Sequence, residues 1–559
     1  MRNNHTDQEA QAGDQTKEVV HPEVEKPQGH HNKSTWHTYG WFIIFFIAEM
    51  IIILLYGLFT APSIEVSPLT ADIQNAKSQE VVKQYYPAYQ DIHVMMLVGF
   101  GFLYTYLHRF SWSSMSQNFI LMVYCIQIGI LNNGFFEMIV SQHFDKAILI
   151  DIKTLITADF SAAAILISLG GMLGKLNFGQ CLVMATLEII FYSPNLALGE
   201  RYFHAIDLGG SMFIHTFGAY FGIACSIVYH WNNEEVVKDH EHNRSGYGSN
   251  LFGYIGTAFL WLFWPSFNGA LATGNAQHRV IVNTVFSLTV SALSVFLITP
   301  LLNHGKYKME CLLNATLAGG VAVGAACDVL AAPWAAILIG FIAGTISLLG
   351  FEYLSSILQK KIRLYDTAGI HNLHGMPGVF GSIVGIIMAA QSSADLLGPS
   401  LKAIYPEMEN GRTPMQQAQM QASALASSLL FGIVGGIITG FILRIQCCFD
   451  GPDTVDYMFS DLIYFEELEE ADNLVHEEPQ AEEHINNTEQ AVEMKLHNGE
   501  NRNIDIDIID VENNNYNTHL RTSSKVLLPH NKTSSQPTGS LQVKALRVES
   551  KDFNNENQQ

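Results

Sequence analysis

The segments DLGGSMFIH (Asp207 to His215) and DTAGIHNLH (Asp366 to His374) share one pattern of residues. In each, Asp comes first, Gly stands three residues later and His stands eight residues after the Asp. Each leads into a short apolar run that contains glycine, HTFGAYFG in the first case and HGMPGVFG in the second. The matched spacing predicts an internal repeat that places the two segments at equivalent positions of one fold.

The composition of the chain indicates a membrane protein with polar ends. Of its 559 residues, 48% are hydrophobic and only 15% are charged. The net charge is −22, but 23 of the 52 acidic residues lie from Asp450 onward, so much of this excess belongs to a solvated tail. We therefore predict an all-α polytopic membrane protein with soluble termini.

Apolar stretches long enough to cross a bilayer need about 20 residues. By that criterion the sequence predicts twelve transmembrane helices, many of them rich in glycine and alanine, which suits close helix packing in lipid. They are expected near residues 40–60, 91–108, 116–139, 154–173, 178–196, 207–229, 250–268, 279–302, 310–331, 333–353, 369–390 and 418–443.

An even number of spans places both termini on the same side of the membrane. Basic residues in the loops of that side identify it as cytoplasmic by the positive-inside tendency. They are Arg109, Lys306, Lys308, Lys360, Lys361 and Arg363. We expect a cytoplasmic N-terminal tail at 1–38, a transmembrane domain at 39–446, and a cytoplasmic, acidic and largely disordered C-terminal tail at 447–559.

Between the first and last helices the chain divides into two five-helix repeats, near 91–230 and 250–390. Because five is odd, the second repeat is inverted relative to the first, an arrangement found in transporters. At about 1.5 Å per helical residue, each His lies roughly 12 Å inside its own face of an apolar core about 30 Å thick. The spacing therefore predicts that His215 and His374 approach each other near the midplane.

Polar groups inside a membrane are costly and usually functional, so the matched histidines indicate a pore or a proton relay. The aspartates allow two compatible interpretations. Each stands at a helix N-terminus, where a carboxylate caps free N–H groups, and each also offers a charge that attracts cations. His371 and His374 have the spacing of zinc ligands, but no carboxylate cluster completes such a site, so we expect no metal.

Motifs along most of the chain resemble those of the Rhesus (Rh) glycoproteins of the ammonium transporter superfamily. The resemblance covers roughly residues 40–465. The motifs are YPAYQDIHVMMLVGFGFL, GGSMFIHTFGAYFG, LWLFWPSFN, QHR, NATLAGGVAVG and DTAGIHNLHGMPG. It implies the ammonium-transporter fold, a homotrimer in which each helical protomer contains its own narrow hydrophobic pore.

The resemblance also implies roles for the repeated residues. His215 and His374 resemble the twin histidines of the family's pore. Asp207 and Asp366 resemble the vestibule aspartates that stand behind those histidines.

Three further residues gain meaning only from the resemblance. Phe160, in ITADF, and Phe267, in WPSFN, resemble a stacked pair that gates the pore from outside. His371 departs from the family, which more often has asparagine there, and is a possible residue of the inner pore.

The function implied is a channel or transporter, not an enzyme, that recruits ammonium at a vestibule and conducts mainly ammonia past the histidines. Two alternatives stay open: passage of carbon dioxide, and a non-transporting membrane sensor or scaffold that uses the long tail. The sequence does not decide between net ammonia and net ammonium transfer. We expect a multi-pass protein of the plasma membrane, without cofactor or nucleic-acid partner.

Overall fold

The computed structural model of the chain describes residues 35–68, 72–144, 146–231, 240, 242–445, 458–462 and 464–465. Most of both expected tails lies outside these residues. The described part folds into a bundle of helices, which agrees with the predicted all-α class.

Twelve main helical segments follow one another along the described chain. They are α1 Thr35–Phe59, α2 Asp72–Val94, α3 Ser111–Ser141, α4 Ile152–Met172, α5 Phe178–Phe203, α6 Ser211–Tyr229, α7 Tyr247–Gly269, α8 Gly274–Leu302, α9 Met309–Val323, α10 Pro333–Ile362, α11 His371–Gln391 and α12 Pro414–Leu443. Strands β1 (Thr60–Pro62) and β2 (Ile148–Ile150) form one short parallel pair outside the bundle. Three short helices, Ala394–Leu397, Ser400–Ile404 and Pro406–Glu409, lie between α11 and α12.

Within the described ranges, nine helices are long and apolar enough to cross a membrane. Each coincides with one of the twelve predicted spans, and α9 is a shorter apolar helix at a tenth. The predicted span at 91–108 lies in a helical stretch that starts much earlier, at Asp72. The first half of α2 is polar, so hydropathy did not reveal it.

Close helix crossings depend on glycine. A Cβ on Gly381 of α11 would lie 2.1 Å from the carbonyl oxygen of Ala322 in α9. A Cβ on Gly256 of α7 would lie 2.1 Å from the backbone nitrogen of Leu103, at the end of the α2 stretch. Because lipid tails are as apolar as side chains, such close van der Waals packing is what holds membrane helices together.

The two Asp–His segments are anchored by equivalent backbone hydrogen bonds. Gly209 donates its N–H to the carbonyl of Gly324, just after α9, at 3.0 Å. Ala368 donates its N–H to the carbonyl of Gly170 in α4, also at 3.0 Å. Since α4 and α9 occupy equivalent positions in the two predicted repeats, each segment is held by the other repeat.

Part of the expected C-terminal tail packs on the helical domain. Phe459 is fully buried and its N–H donates to the carbonyl of Gly174 at 2.8 Å. The Asp461 carboxylate accepts from the N–H groups of Trp112 and Ser113 at 3.1 and 2.6 Å, which caps α3. We call residues 458–462, 464 and 465 the C-terminal latch.

Candidate functional site

Both Asp–His segments begin with a left-handed glycine and continue as a π-helical turn. Gly210 has φ +68° and Gly369 has φ +70°. A residue with a Cβ is strained in this left-handed conformation, which explains the glycine of the repeated pattern. The π-helical turns are Ser211–Thr216 and His371–Gly375. The expected α-helical descent from each aspartate is therefore wrong in detail, because a turn and a π-helical segment carry the chain to each histidine.

The aspartates cap these turns. Oδ2 of Asp207 accepts from the N–H groups of Met212 and Phe213 at 2.8 and 2.9 Å. Asp366 accepts from the N–H groups of Ile370 and His371 at 3.0 and 2.9 Å. The capping interpretation of the sequence agrees with these bonds, which also fix the direction in which each histidine points.

The two histidines meet in the interior. Nδ1 of His215 lies 3.1 Å from Nδ1 of His374, and the rings are nearly parallel at 14°, with centroids 5.2 Å apart. Each side chain is only 2% exposed. The approach predicted from the spacing is thus present in the structure.

Two aromatic rings, one from α7 and one from the stretch after α2, stack on this pair. Trp264 of α7 stacks on His215 with centroids 5.6 Å apart. Phe100, in the π-helical stretch after α2, stacks on His374 at 6.2 Å. The two imidazoles are therefore surrounded by apolar rings, which leave them few hydrogen-bond partners other than each other.

Phe160 and Phe267 lie together on one side of the histidines. Their centroids are 4.8 Å apart, and Phe267 lies 5.9 Å from the ring of His215. The expectation of a stacked pair is wrong in geometry, since the planes are tilted by 58°. Both rings are buried, and Phe160 lines a cavity, so the two rings form a continuous contact from that cavity to His215.

That cavity has a volume of about 290 Å³ and is lined by Phe160 and Asp207. Its wall also contains Glu200 of α5 and Glu407 of the short helix Pro406–Glu409. Removal from water raises the pKa of the Asp207 carboxyl to about 6. The cavity is therefore lined by three residues that carry carboxyl groups and by aromatic residues, Phe160 among them.

Sequence reasoning missed the two glutamates. Glu200 lies near the end of a predicted span and carried no signal from the repeat. Glu407 lies in the short helix Pro406–Glu409, and only the tertiary fold brings it to the same cavity as Asp207.

At the opposite side of the histidines, His371 and Tyr220 are half-buried. Their rings meet edge-on, at 85° and 6.1 Å between centroids. Asp366, which accepts from the His371 N–H, is also half-buried. His371 of the second Asp–His segment thus contacts both Asp366 and Tyr220.

Comparisons with known proteins agree with this architecture. The sequence profile of the Ammonium Transporter Family matches residues 48–450. The chain is 39% identical to ammonium transporter Rh type B of Takifugu rubripes over 451 residues, which cover 79% of this chain and 96% of that protein. It is 42% identical to ammonium transporter Rh type B of Mus musculus over 384 residues, covering 68% and 83% of the two chains.

Solved structures show the same fold. Rh50 of Nitrosomonas europaea, from the Rhesus protein family of channels, is 28% identical with a TM-score of 0.58, covering 72% of this chain and 99% of that one. A sensor Amt protein is 18% identical with a TM-score of 0.57, covering 70% and 100%, a likeness of fold alone. The sequence match, the coverage and the fold together show that this chain belongs to the ammonium transporter family.

Proposed function

We propose that this protein is a membrane channel for ammonia and ammonium that conducts mainly ammonia through each protomer. The observation that carries the proposal is the buried contact between His215 and His374. A cation without a counter-charge is costly to bury, whereas neutral ammonia avoids most of that cost. The names of the Rh type B relatives supply the substrate, ammonium.

The outer cavity is where ammonium is recruited. Carboxyl groups of Asp207, Glu200 and Glu407 make it attractive to a small cation. The aromatic floor of Phe160 and Phe267 then excludes water and hydrated ions. Above this floor ammonium transfers its proton to water, the hydronium ion returns to the outer solution, and neutral ammonia passes the two rings.

The histidine pair offers hydrogen bonds to ammonia without adding charge. Since Nδ1 faces Nδ1, one ring donates and the other accepts, so the two neutral rings hold opposite tautomers. Their Nε2 atoms therefore differ, one being a donor and the other an acceptor. Nε2 of His215 is buried and bonds to no described residue, which leaves it available to the passing molecule.

The path ends at the inner group of His371, Tyr220 and Asp366. Their half-buried state next to the sealed histidine pair supports an opening to the inner side. There ammonia regains a proton, and the Asp366 carboxylate stabilises the cation that forms. His371 lines this exit.

The assembly and location follow from the family and from the surface. We infer a homotrimer in the plasma membrane with both termini cytoplasmic. Exposed apolar side chains on α8 and α10, among them Leu297, Leu301 and Trp334, support contact of these helices with lipid or with a neighbouring protomer.

Stopped-flow measurements on proteoliposomes test the proposal. Under an ammonia gradient, ammonia entry raises the internal pH and ammonium entry lowers it, so the sign identifies the species. We expect His215→Ala and His374→Ala to change ammonia flux or its selectivity at least tenfold, whereas His278→Ala, on the exposed surface of α8, has no effect. Unchanged flux and selectivity in both pore variants would contradict the histidine mechanism, and a flux that responds only to carbon dioxide would overturn the substrate.

A further inference from the structure

The two phenylalanines between the cavity and the histidines are each preceded by a polar residue. Asp159 stands before Phe160 in α4, and Ser266 stands before Phe267 in α7. Successive residues on a helix point about 100° apart. The side chains of Asp159 and Ser266 therefore point away from the contact between Phe160 and Phe267, and neither side chain lines the cavity.

Both polar residues bond to the same short segment of α2. Ser266 Oγ donates to Asp91 Oδ2 at 2.5 Å. His93 Nδ1 lies 3.2 Å from Asp159 Oδ2, where the ring donates to the carboxylate. Asp91 and His93 are two positions apart, which places them about 200° apart around the helix. α2 packs between α4, which carries Phe160, and α7, which carries Phe267. One side of α2 therefore contacts α4 and the other side contacts α7.

Burial makes the loss of these hydrogen bonds costly in free energy. Asp159 has 0% exposure, and its Oδ1 has no hydrogen-bond partner among the described residues. His93 therefore supplies the hydrogen bond that compensates this buried carboxyl group, which ties the position of α4 to that of α2. The Ser266–Asp91 bond ties α7 to the same helix.

We propose that Asp91 and His93 form a clamp that sets the distance between Phe160 and Phe267 and thereby the size selectivity of the pore. These residues are positioning residues, since neither lines the outer cavity. The two rings are only 4.8 Å apart, and contact energies change steeply over a fraction of an ångström. A small shift of α4 or α7 therefore changes which solute passes. This inference rests on the proposed gate.

The test compares flux of ammonia with flux of methylammonium, which is larger by one methyl group. Full-length His93→Ala and Ser266→Ala proteins are reconstituted at matched protein amounts. We expect the methylammonium-to-ammonia flux ratio to rise about two- to fivefold in each variant. His143→Ala, in an exposed loop, and Ser423→Ala, a half-buried residue of α12 whose hydroxyl bonds to the Gln419 carbonyl of the same helix, serve as matched controls and are expected to keep the parent ratio.

A merely structural role would lower both fluxes together and leave the ratio unchanged, which would overturn the clamp. Conservative variants cover the case in which an alanine variant does not fold. Ser266→Thr keeps the hydroxyl and is expected to keep the ratio, whereas Ser266→Cys keeps the size but has only a weak donor and is expected to raise it. A parent ratio in Ser266→Cys also overturns the proposal.

Phe267→Ala separates the clamp from the gate. If it raises the ratio while the clamp variants do not, the gate stands and the clamp is wrong. If Phe267→Ala and the clamp variants all keep the parent ratio, gate and clamp are both wrong. A rise in all of them, with unchanged controls, supports both.

Discussion

At the scale of single residues, the two oxygens of Asp207 have different environments. Oδ2 caps the π-helical turn that carries His215, through bonds to two N–H groups. Oδ1 is buried and has no hydrogen-bond partner among the residues described. The capping interpretation is thus confirmed by these bonds, and the attraction of cations by a charged Asp207, which also lines the cavity, stays a prediction.

The titration of Asp207 predicts a pH dependence of transport. Removal from water raises its pKa to about 6, so the group is charged above that pH and neutral below it. At a given outer pH and ammonium concentration the ammonia available is the same for parent and Asp207→Asn, so the ratio of parent flux to variant flux reports the charge of Asp207. This ratio is expected to fall by up to roughly tenfold as the outer pH drops from about 7 to about 5, because the cavity of the parent loses charge. Asp207→Asn keeps a capping oxygen and is expected to start lower at pH 7.

The measurement is ammonium-driven flux in proteoliposomes against outer pH, after subtraction of protein-free vesicles. The ratio of parent flux to Asn-variant flux is expected to change near pH 6, where Asp207 titrates. If parent and variant show the same profile, the charge of Asp207 does not govern recruitment.

Residue spacing predicted the contact between His215 and His374. In the predicted inverted repeat the two segments enter the membrane from opposite faces, and each histidine stands the same number of residues after its aspartate. It did not predict Glu407 in the cavity or the bond between His93 and Asp159. Those contacts join residues far apart in the chain, and no local pattern encodes the distance between them. The tilt of the two phenylalanines likewise depends on packing that only the folded molecule shows.

At the scale of elements, Lys175 joins three parts of the bundle. This buried side chain lies in the turn between α4 and α5 and donates to the carbonyl of Gly171 at 2.6 Å and to Ser226 Oγ of α6 at 3.3 Å. It also donates to the carbonyl of Tyr365, the residue before Asp366. Its ammonium group thereby holds the start of the second Asp–His segment against the first repeat.

Lys175→Met is expected to destabilise the protein while keeping most of the side-chain volume. Loss of the ammonium removes its hydrogen bonds to the Gly171 carbonyl and to Ser226 Oγ, whereas the Tyr365 carbonyl keeps its bond from Ser226 Oγ at 2.8 Å. A buried acceptor left without a donor costs about 1–3 kcal/mol. The thermal midpoint in detergent is expected to fall by several degrees, and flux per folded protein is expected to drop because Asp366 loses its support. Lys360→Met, at an exposed position of α10, is the matched control. Equal midpoints for the two variants would contradict the bracing role.

Element prediction succeeded where apolar residues carry the signal and failed where they do not. Nine predicted spans coincide with long apolar helices among the described residues. The polar half of α2 was missed because residues such as Asp72, Lys77 and Glu80 form a good helix without apolar periodicity. The end of the predicted span at 310–331 is irregular, since the chain leaves the helix at Val323.

At the scale of the whole molecule, the C-terminal latch closes the chain onto its helical domain. The ring of Phe459 lies against Gly174, where a Cβ would be only 2.2 Å from the ring. Tyr464 meets Phe178 edge-on at the start of α5, with centroids 5.0 Å apart. The latch thus contacts the turn between α4 and α5 as well as the start of α3, which Asp461 caps.

Two truncations separate the latch from the rest of the tail. A chain ending at residue 470 keeps the latch and is expected to conduct ammonia like the full chain, because every residue of the proposed path lies within it. A chain ending at residue 457 loses the burial of Phe459, worth about 1.5–3 kcal/mol, and the Asp461 cap, worth about 1 kcal/mol. Its thermal midpoint is expected to be several degrees lower. Loss of all flux at 470 would favour a tail-dependent sensor, and equal midpoints for both truncations would show that the latch does not stabilise the domain.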